Sequence, residues 1–213
     1  MYLRLSRFAP LGVLLLVFLV APLSADELYN NGPVQGGIAY DVADYMRITN
    51  SFNLSSSSIV TEVVFGAWAS TGSTGTWVDW AITSAPFDTT RLASGSTTLS
   101  NRFLYNDPLR GVDVLEASFS VPALALGAGT YWLELDNTWT NAGRHLSWNV
   151  INGPSQAQYR SQSGSGTMGS NSFRILGTTV TADVPEPGSA ALLGSGALLL
   201  CVGILRRRAS SRR

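Results

Sequence analysis

Between residues 26 and 183 apolar side chains return at every second position, in short runs separated by turn residues. That period is the strand period, and it constrains the fold more than any other feature of the chain. In the run 59–68, Ile59, Val63, Phe65 and Ala67 share one parity. In 77–83, Val78, Trp80 and Ile82 fall on one side, Trp77 and Asp79 on the other. In 114–121, Leu115, Ala117, Phe119 and Val121 oppose Glu116, Ser118 and Ser120. In 130–136, Tyr131, Leu133 and Leu135 oppose Trp132, Glu134 and Asp136. Side chains alternate across a strand, so each run is predicted to have one dry and one wet face. Further strands are predicted over 45–53, 91–95, 98–104, 145–149, 157–160 and 173–176. Turn signals separate them: Thr71-Gly72-Ser73-Thr74-Gly75, Ala85-Pro86, Asn106-Asp107-Pro108, Gly127-Ala128-Gly129 and Asn152-Gly153-Pro154. Short strands split by such turns predict an all-β domain over 26–177, a β-sandwich of jelly-roll or Greek-key type. The stretch 161–172, SQSGSGTMGSNS, is predicted to be a flexible loop by composition.

Two apolar segments flank this domain. Residues 1–25 have the plan of a secretory signal peptide. Arg4 and Arg7 form its positive start, 8–20 its apolar centre, and Pro22-Leu23-Ser24-Ala25 its cleavage region, with the cut predicted between Ala25 and Asp26. After a spacer at 178–183, the segment 184–208 has three parts in order. In Val184-Pro185-Glu186-Pro187 each proline fixes its own φ and pushes the preceding residue toward extended backbone, giving a stiff strip. Residues 188–205 then run without a charge. As a helix they would rise roughly 27 Å, against ~30 Å for a bilayer's hydrocarbon core. Arg206-Arg207-Arg208 and the basic tail 209–213 follow, predicted to stay cytoplasmic and leave the domain on the other side.

Pro-Glu-Pro, a short apolar helix and an arginine cluster, in that order, resemble the PEP-CTERM sorting signal of Gram-negative bacteria. The resemblance implies that a membrane peptidase, exosortase, recognises and cuts at Val184, Pro185, Glu186 and Pro187. It also implies that Arg206, Arg207 and Arg208 act as a stop-transfer cluster. Signal peptidase and the Sec export machinery would be partners upstream. The expected route is the inner membrane as a single pass, then the cell surface or extracellular matrix. Within the domain, Leu28-Tyr29-Asn30-Asn31-Gly32-Pro33, Val78-Asp79-Trp80, Leu92-Ala93-Ser94-Gly95, Gly129-Thr130-Tyr131-Trp132-Leu133 and Asn152-Gly153-Pro154-Ser155 resemble a secreted β-domain found in such proteins. That domain brings no catalytic or ligand-binding residues with it.

All fourteen basic residues are arginine. Seven of them fall in 26–184, against thirteen carboxylates, so the exported part carries about −6. An acidic domain without a basic stripe argues against nucleic acid as a partner. The single cysteine, Cys201, lies in the apolar tail. The domain therefore holds no disulfide, no cysteine-based zinc site and no cysteine nucleophile.

Candidate chemistry is sparse. His145 is the sole histidine, and a Ser-His triad would need it as base. Gly164-Ser165-Gly166 lies in the predicted loop, the wrong setting for a strained nucleophile. The pairs Glu62/Glu116 and Glu134/Asp136 have the residue types of a glycosidase but sit on faces predicted to be wet. Asp41, Asp44, Asp79, Asp107 and Asp113 supply hard oxygen donors for Ca²⁺ without the spacing of an EF-hand. No metal or other cofactor is expected. Six tryptophans are many for this length. Trp80 is assigned to the core, and Trp77 and Trp132 to the wet faces, where flat apolar area could stack on a sugar ring. Alternation assigns no face to Trp68, Trp139 or Trp148. The expectation is a non-enzymatic exported surface or matrix protein. A carbohydrate-binding module or adhesin for exopolysaccharide is the alternative, and a hydrolase the third class.

Overall fold

The structure, a computed structural model, describes residues 25–180. Among them are thirteen strands: β1 (Asp26–Asn30), β2 (Ala39–Asp41), β3 (Met46–Leu54), β4 (Ser58–Ser70), β5 (Gly75–Thr83), β6 (Arg91–Thr98), β7 (Ser100–Asp107), β8 (Val112–Leu126), β9 (Gly129–Thr140), β10 (Ser147–Asn149), β11 (Ala157–Ser161), β12 (Gly164–Met168) and β13 (Phe173–Thr179). The described residues contain no helix long and apolar enough to cross a membrane. The segment 188–205, the signal-peptide residues 1–24 and the Arg206–Arg208 cluster lie outside them.

The strands form two antiparallel sheets. In the seven-stranded sheet β4 is the spine. β8 pairs along one side of it, and on the other side β13 takes its first half and β10 its second. β7, β1 and β2 lie outside β8, β13 and β10. The six-stranded sheet runs β12-β11-β3-β9-β5-β6. The inner faces meet in one core. Phe65 and Trp148 cross edge to face at 6.1 Å, and Trp148 meets Phe173 at 5.9 Å. Trp80, from the facing sheet, lies against Phe119 at 5.6 Å. Full burial of one such large side chain contributes about 1.5–3 kcal/mol. The core assignment of Trp80 holds, as do the inward parities of β5, β8 and β9.

One parity changes within a strand. Pairing of β4 with β13 steps from Val60 to Glu62, so Thr61 is an extra residue, and the register with β8 shifts at the same place. A bulge reverses the in–out order on either side of it. Val60 therefore joins Val63, Phe65 and Ala67 in the core, while Ile59, expected there, is half-buried. Opposite the bulge stands Gly177, where a Cβ would overlap the Ile59 carbonyl oxygen.

The segment 161–172 is not the flexible loop that its composition predicts. β11 and β12 make a hairpin, and the residues after it are held by buried polar groups. Asn50 Nδ2 donates to Asn171 Oδ1 at 2.9 Å, and the Asn171 backbone N–H donates back to Asn50 Oδ1 at 3.0 Å. Asn31 Nδ2 donates to the Asn171 carbonyl at 2.6 Å, while Asn31 Oδ1 accepts from the Ser155 N–H at 2.9 Å. The two Asn-Gly-Pro turns of the sequence, 31–33 and 152–154, thus meet around one asparagine seam. Inside a core such groups are tolerable because each has a partner.

The ends of the domain are neighbours. Asp26 pairs with Gly177 and Thr179 with Ser58, so chain enters and leaves beside the first residues of β4. Ser70, at the other end of β4, is twelve residues away, roughly 40 Å along the strand.

Candidate functional site

The polar and aromatic groups that stand out gather at that far end. Trp77 on β5 pairs with Trp139 on β9, between two register shifts. Their indole edges are tied down in series. Trp77 Nε1 donates to Asp79 Oδ1 at 3.2 Å, Asn137 Nδ2 donates to Asp79 Oδ2 at 2.8 Å, and Trp139 Nε1 donates to Asn137 Oδ1 at 2.9 Å. Asn137 takes φ of +44°, in the left-handed region that asparagine tolerates better than most residues. The rings remain 37 % and 39 % exposed. Two fixed aromatic faces are therefore open to solvent, with their polar edges already satisfied.

His145 continues this row. Its ring lies 4.5 Å from that of Trp139 and meets Tyr45 edge-on at 6.0 Å. It precedes β10, in a turn closed by the Thr140 N–H donating to the Arg144 carbonyl at 2.7 Å. His145 Nδ1 is 2.6 Å from the Thr138 carbonyl oxygen. A carbonyl only accepts, so Nδ1 carries the proton and Nε2 of the neutral ring is an acceptor.

Beyond His145 opens a cleft of about 370 Å³, lined among others by Asp41, Trp68, Arg144, His145 and Ser147. The strand order creates it: Ser147 pairs with Asp41 on one side and with Trp68 on the other. Ser147 Oγ donates to Asp41 Oδ1 at 2.5 Å. The Arg110 guanidinium lies over the Trp68 ring, 5.5 Å from its centroid. Trp68 is 8 % exposed, and its indole N–H has no acceptor among the described residues. A buried donor left unpaired costs about 1–3 kcal/mol, so its position in the wall of a cleft asks for an explanation.

Trp132 does not belong to this surface. It points outward from β9, as alternation requires, yet it is 7 % exposed. It sits mid-sheet, between Ser51 of β3 and Thr83 of β5. The connection leaving Thr83 carries Phe87, buried and held at φ of +54°, and Arg160 stacks over that ring at 4.6 Å. Trp132 and Phe87 are thus buried rings that do not belong to the main core cluster. Trp139, which alternation could not place, stands exposed beside Trp77 in its stead.

The carboxylates are occupied differently from expectation. Glu134, predicted to be wet, is buried and paired with Arg47 at 3.3 Å and Arg91 at 3.7 Å. Asp136 lies 3.5 Å from Arg47, and one of its oxygens is buried with no partner among the described residues. Burial pushes its carboxyl above the usual range, and the charges of Glu134 and Asp79 add to this while Arg47 opposes it. Glu116 binds Arg102 and Arg174, and faces Gly66 rather than Glu62 across the β4–β8 ladder. Asp107 pairs with Arg110, whose hydrogen bond holds its carboxyl below the usual range. Asp113 accepts from the Gly72 N–H and from Asn106. Among the described residues no group of three or more His, Cys, Asp or Glu side chains could hold a metal ion. Ser165 lies in β12 opposite Arg160.

Of the processing residues, Ala25 and Asp26 are described, Asp26 as the first residue of β1. Val184, Pro185, Glu186 and Pro187 lie outside the described residues. In comparisons with known proteins no family model matches the chain, and neither a curated protein nor a solved structure matches it.

Proposed function

We propose that the chain is a non-enzymatic exported protein of the cell surface or extracellular matrix. It is held by a single inner-membrane pass in transit and sorted by exosortase at Val184-Pro185-Glu186-Pro187. The observation that carries this reading is the fixed order of the proline-bracketed strip, the uncharged run 188–205 and Arg206-Arg207-Arg208, placed after a β-domain. The domain itself is a jelly-roll-like sandwich, with hairpins alternating between its two sheets. Two features of it accord with the route. Its first strand begins at Asp26, directly after the residue where signal cleavage is expected. Its two ends leave side by side, so a domain tethered through its last strand would hang from one end and present the other.

The test is substitution of Pro185, Glu186 and Pro187 by alanine in a host that carries an exosortase. The variant is expected to remain in the inner membrane at full length while the parent chain is processed and released. Equal processing and release of both would overturn the reading.

A further inference from the structure

We propose that the end of the sandwich farthest from its chain termini is a binding site for a neutral polysaccharide. The site consists of the cleft walled by Asp41, Trp68, Arg144 and His145, together with the exposed rings of Tyr45 and Trp139 beside it. The proposal concerns the folded domain and stands whether or not the sorting reading does.

Four observations converge on that ligand. The first is the unpaired indole N–H of Trp68, buried in a wall of the cleft. The N–H has no accessible surface in this geometry, so a ligand oxygen relieves it only with a small turn of the Trp68 ring toward the cleft. The second is the mixture of groups around it. Arg144 and Trp68 only donate, the Asp41 carboxylate only accepts, and His145 has Nδ1 committed to Thr138 and Nε2 left as an acceptor. A sugar hydroxyl donates and accepts at once, so a ring bearing several of them can satisfy both kinds. An ionised phosphate or carboxylate only accepts, and the Asp41 carboxylate would repel it.

The third is the aromatic ledge. His145 joins the cleft to Trp139 at 4.5 Å and to Tyr45 at 6.0 Å, and Trp139 is locked by its bond to Asn137. Rings already ordered lose little freedom on binding, and they offer flat apolar faces to the C–H faces of a pyranose. Trp77, fixed through Asp79 in the same series, extends the ledge for a second sugar unit. The fourth is charge and position. Asp41 and Arg144 offset each other inside the cleft, while the domain as a whole is acidic, which disfavours an anionic chain. Trp68 lies ten residues along β4 from Ser58, which pairs with Thr179 where the domain ends, roughly 33 Å away. Anything that tethers the chain there leaves the cleft accessible.

The test uses the full chain purified in detergent, with dextran, galactomannan and hydroxyethyl cellulose as neutral probes and alginate as the anionic one. Affinity electrophoresis and tryptophan fluorescence report binding. At least one neutral polysaccharide is expected to bind and alginate to bind more weakly. Trp139→Ala should weaken that binding at least tenfold, and so should Trp68→Phe, which keeps an aromatic ring and removes the N–H. Arg144→Ala, which removes an exposed side chain with no hydrogen bond or ion pair among the described residues, should weaken it several-fold. No binding to any neutral probe, tighter binding to alginate, or binding unchanged by both Trp68→Phe and Arg144→Ala would overturn the proposal.

Discussion

Gly153 is seated against Asn31 so closely that a Cβ on it would overlap the Asn31 carbonyl oxygen and come within 2.7 Å of its side-chain amide. This contact locks one Asn-Gly-Pro turn onto the other, and no side chain can yield because the obstacle is backbone. Gly153→Ala is therefore expected to destabilise the domain by about 2 kcal/mol or more. The midpoint of urea unfolding measures it; an unchanged midpoint would mean that the turns do not meet.

The asparagine seam carries a second expectation. Asn50→Ala leaves the Asn171 backbone N–H and side-chain oxygen without the partners they have now. At about 1–3 kcal/mol for each buried group left unsatisfied, the loss should reach ~2–4 kcal/mol. The hairpin of β11 and β12 should also gain hydrogen exchange, because the seam anchors the chain that follows it.

The tryptophans separate by burial rather than by parity. Trp132→Ala should cost about 3 kcal/mol or more, as large-to-small changes in packed sites do. Trp77→Ala should cost under ~1 kcal/mol, since that ring is open to solvent. Equal, mild effects in denaturant titrations would return Trp132 to the surface.

Asp136 makes stability depend on pH. Its carboxyl is raised in the folded state, so folding favours the protonated form. The penalty for ionising it is absent near and below the ordinary carboxylate pKa, ~4, and grows as pH rises through the folded value. Asp136→Asn removes that penalty. The melting temperature of the variant, relative to the parent, should be more favourable at pH 7 than at pH 4. A difference that shrinks on going from pH 4 to pH 7 would show that the Arg47 attraction outweighs burial.

Alternation made the all-β class, the inward faces of β5, β8 and β9, and the core place of Trp80 legible in the sequence. These depend on neighbours two residues away. What alternation missed depends on residues far along the chain. The bulge at Thr61 reverses parity within one apolar run, and nothing in Ile59-Val60-Thr61-Glu62-Val63 marks it. Trp132 has the parity of a wet residue but is buried mid-sheet, between β3 and β5. Trp139 gains its place only through pairing with Trp77 and through Asn137 at positive φ. The segment 161–172 looks like a linker by composition and becomes ordered because Asn31 and Asn50 reach it. A signal for the site was present in Asn137-Thr138-Trp139 and Trp77-Val78-Asp79, two short runs in which an indole sits two residues from a side chain that can accept its N–H.

The termini of the mature polypeptide distinguish a sorted, processed chain from a plain membrane-anchored one. Intact mass and terminal peptide mapping of the protein recovered outside the producing cell should give a chain that starts at Asp26. The same chain should end within or beside Val184–Pro187. A released chain that still carries Arg206-Arg207-Arg208 would contradict sorting by exosortase.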